Sequence, residues 1–359
     1  MKEIMVYAYT AHNLGDDLFI HILCKRYPET TFYLYAPKRY EQTFVHLKNL
    51  KVIPSDTFFN RVVHRFLNQF SKRKKIAKQC DASIYIGGSL FIQNPNWQKE
   101  VQKVQSMNIQ EKPFFILGAN FGPFSDKKFL DTYEQVFSRC ADVCFRDNAS
   151  FDLFHHLPNV RKAADIVFQL QTNHTVSKNN SKTIVISVIY PSVRRNLHDE
   201  DTTYFEAMKN IVIACINNDY AVTLMGFCNI EKDHLAIDKI LSLLPKQYKN
   251  KVRTYCYETN IEKAIEEISS AKAIIATRFH AMILGWVYEK PVYPILYSSK
   301  MKSVIDDGKF NIAYRSIKHL QQLSPEAVLN ALNVQPIDIS EQKINAVQQF
   351  LKLDEFLQK

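Results

Sequence analysis

The feature that most constrains the fold of this chain is a regular alternation of short apolar runs with longer segments of helical apolar spacing. In the first half, β-type runs occupy residues 4–9, 31–36, 52–54, 82–87, 114–118 and 143–146. Helical spacing occupies residues 17–27, 96–107 and 127–140 between them. Strands and helices that alternate in this way are typical of a parallel sheet covered by helices on both faces. The first half therefore predicts an α/β domain.

The same alternation restarts after a polar interruption. Residues 171–182 (QTNHTVSKNNSK) contain Val176 as their one apolar residue, so we interpret them as a linker. Strand-like runs then occupy residues 183–189, 221–227, 252–256, 273–276 and 291–296, with helical spacing at residues 204–217, 231–244 and 261–270. We therefore predict two α/β domains, residues 1–172 and 183–335, that face one another across a cleft.

The last residues, 336–359, have a different pattern. Residues 341–358 place five apolar side chains along one face of a single helix: Ile344, Val347, Phe350, Leu351 and Phe356. We predict a closing helix here, packed on one domain or crossing back to the first.

Composition limits the compartment and the cofactors. No run approaches the roughly 18 apolar residues of a membrane helix, and residues 1–9 lead directly into a strand pattern, so we expect a cytoplasmic protein. The seven cysteines are scattered without a Cys-x-x-Cys pair and indicate reduced core residues; they are Cys24, Cys80, Cys140, Cys144, Cys215, Cys228 and Cys256. No Asp-x-Asp or other clear metal cluster occurs, so we expect neither a metal nor a cofactor.

The charge balance favours anionic partners. Lys and Arg outnumber Asp and Glu by 46 to 36, which gives a net charge of +10. The densest basic run, residues 72–78 (KRKKIAK), follows apolar residues at helical spacing within residues 62–70. Such a segment suits a peripheral contact with an anionic membrane, and a solvated helix face is the alternative. The sequence contains no zinc-finger or aromatic RNA-binding signature, so we expect no nucleic-acid partner.

The chemistry is predicted to centre on residues 273–300, AIIATRFHAMILGWVYEKPVYPILYSSK. Arg278 and His280 lie where the apolar run ends and helical spacing begins, which is the edge of an α/β sheet where ligands bind. An Arg there suits a carboxylate or phosphate, and a His can titrate near neutral pH. The alternative is structural, with Arg278 packed on the helix and His280 satisfied in the core.

Four strand ends of the first half also carry polar or glycine-rich turns. The residues that we select at these turns are Asn13, Asp16, Gly88, Ser89, Asn120 and Arg146. Each turn has a structural explanation, such as helix capping after the first strand or pairing of Arg146 with an acidic neighbour. Four of them on one sheet edge make a binding site more probable than capping alone.

These motifs together carry a resemblance to a known family. The segments NLGDD (13–17), IGGS (86–89), GANFGPF (118–124), FRDNAS (145–150), TRFHA (277–281) and KPVYPILYSSK (290–300) resemble, in order, those of the polysaccharide pyruvyl transferase family. The resemblance implies two Rossmann-like domains of GT-B type. It also implies transfer of the pyruvyl group of phosphoenolpyruvate to a sugar, commonly as a cyclic ketal across two hydroxyls.

The resemblance assigns roles to the candidate residues. Arg278 and His280 match the family's Arg-x-His motif of the donor pocket, with Arg278 expected to bind carboxylate or phosphate and His280 to act as acid or base. Lys300 is expected to neutralise phosphate, unless it is a solvated lysine. The first-domain residues named above would then hold a saccharide or lipid-linked saccharide acceptor.

Two other functions remain open at this stage. A GT-B glycosyltransferase that uses a nucleotide sugar would have the same fold, because fold alone does not decide chemistry. A saccharide- or anion-binding assembly component without turnover would keep the same pocket.

Overall fold

The computed structural model describes residues 1–56, 72–109, 112–172 and 182–358. The chain forms two compact units, and their boundaries do not follow the chain in simple halves. Unit 1 contains residues 1–10, 16–169 and 342–359, and unit 2 contains residues 11–15 and 170–341. The predicted division at residues 172 and 183 lies close to the change of unit at residue 170.

Unit 1 is built on a parallel seven-stranded sheet with the order β3-β2-β1-β4-β5-β6-β7. Its strands are β1 Glu3–Ala8, β2 Thr31–Ala36, β3 Leu50–Pro54, β4 Ala82–Ile86, β5 Phe114–Ala119, β6 Asp142–Phe145 and β7 Val160–Lys162. Its helices are α1 Leu14–Arg26, α2 Tyr40–Thr43, α3 Lys72–Gln79, α4 Trp97–Gln105, α5 Lys127–Phe137 and α6 Asn148–Phe154, followed by a 3-10 turn at Ile166–Gln169. The central strands β4 and β5 are buried along their whole length, as parallel strands covered on both faces must be.

Unit 2 has a second parallel sheet, of six strands in the order β10-β9-β8-β11-β12-β13. Its strands are β8 Thr183–Ser187, β9 Ala221–Gly226, β10 Val252–Cys256, β11 Ala273–Ala276, β12 Val292–Leu296 and β13 Arg315–Ser316. Its helices are α7 Asp201–Asn217, α8 Asp233–Leu243, α9 Lys246–Lys249, α10 Ile261–Ser269, α11 Phe279–Val287, α12 Ser299–Asp307 and α13 Pro325–Ala331. Short 3-10 turns lie at Pro191–Val193, Arg195–Glu200 and Ile317–Gln322.

The predicted fold class is confirmed, because both units are parallel sheets whose strands alternate with helices. The sequence did not predict two short edge strands, β7 and β13. They have three and two residues, which is too short for an apolar alternation to be visible.

The C-terminal segment is helical, but the predicted apolar face is wrong. It consists of α14 Ser340–Val347, a 3-10 turn at Gln348–Phe350 and α15 Leu351–Gln358. Of the predicted face, Phe350 is buried, whereas Ile344, Val347 and Leu351 are exposed. The 3-10 turn changes the angular phase of the side chains, so a continuous helical wheel fails across it. Residues from 342 onward belong to unit 1.

The cysteines and the basic segment lie as follows. All seven cysteines are free, and six are buried, with Cys256 half-buried.

The apolar part of the predicted amphipathic segment, residues 62–70, is outside the described residues. Within α3, Arg73 is buried, stacks over the Tyr7 and Tyr35 rings and donates to Ser106 Oγ at 3.3 Å. Arg73 is therefore a packing residue and unavailable to a membrane, whereas Lys75 and Lys78 are exposed. None of the helices described is both long and apolar enough to cross a bilayer.

Candidate active site

The turn between β11 and α11 is held by hydrogen bonds from β8 and α7. Ser187 Oγ accepts from the backbone N–H groups of both Thr277 and Arg278 at 3.1 Å. Tyr204 donates its hydroxyl to Thr277 Oγ1 at 3.2 Å. Arg278 is the N-cap residue of α11, in an extended conformation with φ −90° and ψ 136°. The predicted strand-to-helix turn is therefore present, and two of its backbone N–H groups are already used by Ser187.

The Arg278 guanidinium is buried and ion-paired to two carboxylates that follow β9. Its Nη1 donates to Glu231 Oε2 at 2.6 Å, and its Nη2 donates to Asp233 Oδ1. Asp233 Oδ2 also accepts from the backbone N–H groups of Phe227 and Cys228, at 2.8 and 3.0 Å. Burial lowers the pKa of Arg278, but Asp233 and Glu231 outweigh it and hold the pKa well above its ordinary value. Arg278 is therefore a permanent cation with a fixed orientation.

A second arginine, Arg194, shares Glu231 with Arg278. Arg194 Nη2 lies 2.5 Å from Glu231 Oε2, so one carboxylate oxygen bridges the two guanidinium groups. Burial raises the pKa of Glu231, but the charges of Arg278 and Arg194 bring it down to about 2. The two arginines therefore favour the ionised form of Glu231. Arg194 Nη1 and Arg278 Nε are buried without a hydrogen-bond partner among the described residues.

Tyr297 and Lys300 complete this group. The Arg194 guanidinium lies over the Tyr297 ring at 4.6 Å from its centroid, and Lys300 Nζ lies 5.5 Å from the same centroid. Burial raises the pKa of the Tyr297 phenol, but Lys300, Arg194 and Arg278 together lower it below its ordinary value. We call Arg194, Glu231, Asp233, Arg278, Tyr297 and Lys300 the Arg278 cluster. Its three basic side chains outnumber its two carboxylates, which favours an anionic ligand.

His280 lies on the first turn of α11 beside the Arg278 cluster. Its ring packs edge-to-face on Phe279 at 4.9 Å, and its side chain is only partly buried. A Cβ built on Gly15 would lie 1.7 Å from His280 Nδ1, so only glycine fits there. Gly15 therefore allows the imidazole to approach the backbone closely.

Asn13 lies in unit 2, although the sequence placed it on the acceptor side with the first domain. Its Nδ2 donates to Glu231 Oε1 at 3.5 Å, and its Oδ1 accepts from Gly15 N–H at 3.1 Å. An antiparallel bridge joins Asn13 to Cys228, and Leu14 N–H donates to Phe227 O at 3.1 Å. The segment 11–15 therefore packs beside the end of β9 and next to the carboxylates that hold Arg278.

Unit 1 contains its own buried arginine at the corresponding turn after β6. Arg146 Nη1 donates to Asp165 Oδ2 at 2.8 Å, and its Nη2 donates to Asn120 Oδ1 at 2.7 Å. The side chains of Arg146 and Asp165 are 2% and 0% exposed, so this is a fully buried ion pair. The sequence had offered pairing with an acidic neighbour as the structural alternative for Arg146, and Asp165 is such a partner; the adjacent Asp147 caps α6 by accepting from Ser150 N–H at 2.7 Å. We call Asn120, Arg146 and Asp165 the Arg146 cluster.

The remaining predicted residues of unit 1 border the Arg146 cluster. A Cβ on Gly88 would lie 2.6 Å from Arg146 Nη1, so the glycine allows the guanidinium to pack on the backbone. Ser89 Oγ lies 3.4 Å from Asn120 Oδ1, and Gly88 O accepts from Asn120 N–H at 2.8 Å. Asp16, nine-tenths buried at the start of α1, lies beside Gly87. Three strand-end turns of unit 1, after β4, β5 and β6, thus meet as the sequence predicted.

Sequence reasoning missed the acidic partners and one arginine. Glu231 and Asp233 lay within the segment of helical spacing at residues 231–244, and neither Asp165 nor Arg194 was selected. The available signal was the mostly polar stretch at residues 229–233 (NIEKD), which is separated from the end of β9 by two residues and so resembles the strand ends that were selected. Among the described residues, no three His, Cys, Asp or Glu side chains are grouped so that they could hold a metal ion.

Solved structures similar to this chain share its fold. A UDP-N-acetylglucosamine 2-epimerase, described as putative, from Listeria monocytogenes aligns with a TM-score of 0.60 at 11% identity, over 99% of this chain and 96% of the other. Anabaena HepE, in complex with UDP and glucose, aligns with a TM-score of 0.58 at 13% identity, over 100% of both chains. At such identities these comparisons establish the GT-B type of fold and nothing about substrates.

Sequence comparisons are more specific. The amylovoran biosynthesis protein AmsJ of Erwinia amylovora is 24% identical over 404 aligned residues, which cover 97% of this chain and 96% of AmsJ. The family model of the polysaccharide pyruvyl transferases matches residues 13–299, a span that includes the whole Arg146 cluster and every member of the Arg278 cluster except Lys300. The chain therefore belongs to the polysaccharide pyruvyl transferase family and is a transferase.

Proposed function

We propose that this enzyme transfers the pyruvyl group of phosphoenolpyruvate to a sugar of a cell-surface polysaccharide or its lipid-linked precursor, as a ketal. Family membership and the similarity to an amylovoran biosynthesis protein support the reaction class. The donor and the acceptor are inferred from the chemistry of the two clusters.

One observation carries the donor assignment. Arg194 Nη1 and Arg278 Nε are buried N–H groups without a partner among the described residues, on two arginines already joined through Glu231. A buried unsatisfied donor costs about 1–3 kcal/mol, and more when it is charged. A carboxylate or phosphate oxygen would satisfy both donors. Phosphoenolpyruvate carries both anions, and Lys300 adds a third positive charge.

The chemistry that we propose needs one group to move protons. A proton adds to the methylene carbon of phosphoenolpyruvate while a sugar hydroxyl bonds to the neighbouring carbon. Phosphate then leaves, and a second hydroxyl of the sugar closes the ketal, so the products are the pyruvylated sugar and inorganic phosphate. His280 is the proton carrier in this proposal because it adjoins the Arg278 cluster and an imidazole can both donate and accept a proton. The Arg278 cluster holds the two anions and receives the departing phosphate.

We assign the acceptor to unit 1. Asn120 accepts from Arg146 through its amide oxygen, which leaves the amide nitrogen as the hydrogen-bond donor for a sugar hydroxyl. The alternative donor, a nucleotide sugar, is an outcome of the test below.

The test combines binding with product analysis. Incubation with phosphoenolpyruvate and a panel of lipid-linked or nitrophenyl glycosides should give a product with the mass of a pyruvyl ketal, together with phosphate. Phosphoenolpyruvate should raise the melting temperature of the protein by mass action, and nucleotide sugars should not. Stabilisation by a nucleotide sugar alone, without any pyruvylated product, would contradict the proposal.

Two neighbouring arginines provide a matched pair for the donor assignment. Arg194→Met should weaken phosphoenolpyruvate binding by roughly tenfold, because it removes one charged hydrogen bond. Arg195→Met is the control, since Arg195 is exposed and lies outside the Arg278 cluster. Equal affinities in both variants would remove Arg194 from the donor site.

A further inference from the structure

We propose that Gln349, from the C-terminal segment, is a positioning residue that sets the geometry of the Arg146 cluster. The cluster's role as the acceptor site rests on the proposed function, whereas its dependence on Gln349 is argued from the hydrogen bonds alone. Gln349 is 0% exposed, and it lies in the 3-10 turn between α14 and α15.

The Gln349 side-chain amide joins three separate segments of backbone. Its Oε1 accepts from Gly118 N–H at 3.0 Å. Its Nε2 lies within hydrogen-bond distance of the carbonyl oxygens of Phe145, Ala163 and Ala164, at 3.2, 2.9 and 3.1 Å. Two N–H groups thus serve three carbonyls, so the hydrogen bonds are shared.

Each of these segments carries one member of the Arg146 cluster. Phe145 directly precedes Arg146, Ala164 directly precedes Asp165, and Gly118 lies two residues before Asn120. A shift of any segment would change the distances between Arg146 and its two partners, which are 2.7 and 2.8 Å. The one amide of Gln349 therefore acts on all three members of the cluster through their backbones.

The local backbone requires a partner such as Gln349. The pairing of β5 with β6 shifts register between Leu117 and Ala119, and Gly118 has φ +75°. A β-bulge takes a backbone N–H out of the ladder and re-aims the residues that follow it. The Gly118 N–H is buried and would be unsatisfied without Gln349, because the glutamine supplies its acceptor.

The rest of the C-terminal segment holds Gln349 in place. Arg161, ion-paired to Asp142 at 2.6 Å, donates to the carbonyl oxygens of Gln348 and Gln349. Asn345 Oδ1 accepts from Ala164 N–H at 2.6 Å, and Asp354 pairs with Arg26 at 2.7 Å. These contacts attach both ends of the segment to unit 1, which is what a residue with a positioning role requires.

The test uses two adjacent glutamines. Gln349→Met removes the buried amide and keeps a side chain of similar length. Gln348→Met is the matched control, because Gln348 is exposed and adjoins Gln349 in the same 3-10 turn. Gln349→Met should raise the acceptor KM about tenfold or more, since small misplacements of a binding group are costly, and should leave the phosphoenolpyruvate KM unchanged. Gln348→Met should match the parent in both.

A double-mutant cycle with Asn120→Ala separates positioning from simple loss of stability. If Gln349 acts through the Arg146 cluster, Gln349→Met should change the acceptor KM by less than about twofold once Asn120 is already alanine. Additive effects on the acceptor KM, or equal losses for donor and acceptor, would overturn the proposal.

Hydrogen–deuterium exchange gives a readout that is independent of the reaction. Peptides covering residues 117–121, 144–147 and 163–166 should exchange faster in Gln349→Met than in Gln348→Met or the parent. Unchanged exchange in all three would contradict the positioning role even if the enzyme is active. If the parent modifies no glycoside, the proposed function fails, and the exchange result still decides whether Gln349 orders the cluster.

Discussion

Each unit places a buried arginine at the turn between a buried strand and a helix. Arg146 is 5% exposed at the end of β6, and Arg278 is 4% exposed at the end of β11. Arg146 pairs with one carboxylate and one amide, whereas Arg278 pairs with two carboxylates, one of which it shares with Arg194.

The same arrangement, a buried arginine at a strand-to-helix turn, therefore leaves different chemical groups available in the two units. In unit 1, the ion pair with Asp165 neutralises Arg146, and Arg146 in turn orients Asn120, so the group that is held in place is a neutral amide. The larger set in unit 2 keeps an excess of positive charge and two buried N–H groups without a partner among the described residues. The first arrangement suits an uncharged sugar, and the second suits an anion.

The largest expected effect comes from removing either of the two buried arginines. Arg278→Met should lower the free energy of unfolding by about 3–5 kcal/mol, because it leaves Asp233 buried without its cation and Glu231 with Arg194 alone. Arg146→Met should lower it by a similar amount through Asp165. Urea denaturation measures both, and a loss below about 1 kcal/mol in either would contradict the ion-pair interpretation.

The two variants should differ in their response to ligand. Phosphoenolpyruvate should stabilise folded Arg146→Met as it does the parent, and should not stabilise Arg278→Met. Equal stabilisation of both would remove the functional distinction between the two turns.

The second effect concerns the charge of Glu231 in the Arg278 cluster. Its pKa is lowered from 4.5 to about 2, so its ionisation stabilises the fold above pH 4.5, and this contribution disappears as the pH falls through about 2. Glu231→Gln should therefore be less stable than the parent by roughly 3 kcal/mol near neutral pH. The gap should close in strong acid, as measured by denaturant unfolding at a series of pH values. A gap that is independent of pH would refute the charge-based explanation.

The third effect compares the residues two positions after each arginine. His280→Asn should lower turnover by roughly a hundredfold and largely spare phosphoenolpyruvate affinity, because asparagine cannot carry a proton at neutral pH. Asn148 occupies the corresponding position in unit 1, and Asn148→Ala should change turnover little. Phosphate release measures both rates. Parent-like turnover in His280→Asn would make His280 a structural residue.

The smallest effect extends the comparison of buried and exposed cations to α3. We expect that replacing Lys74, Lys75 and Lys78 together by Gln reduces sedimentation with anionic vesicles. Each lysine at the surface contributes about 1 kcal/mol to the free energy of membrane binding. Arg73 is left intact because it is buried. Sedimentation that is equal in parent and variant, or absent in the parent, would exclude a membrane contact through this helix.

Local patterns predicted the regular elements well. The sequence placed β10 and β11 at the residues that the structure assigns, and helical spacing begins after β11, where α11 lies. Strand and helix periodicities involve residues two to four positions apart, so they are visible in the sequence itself. The fold class, the strand-end turns and Arg278 follow from such patterns and from the family resemblance.

The partners of those residues were decided by tertiary structure. Glu231 lies 47 residues before Arg278, and Asp165 lies 19 residues after Arg146, so no local spacing joins them. Asn13 lies beside Glu231 in unit 2 because residues 11–15 leave the first sheet, and Gln349 reaches Gly118 from 231 residues away. Charge pairing and satisfaction of buried N–H groups depend on which segments the folded chain brings together, and a single sequence does not contain that information locally.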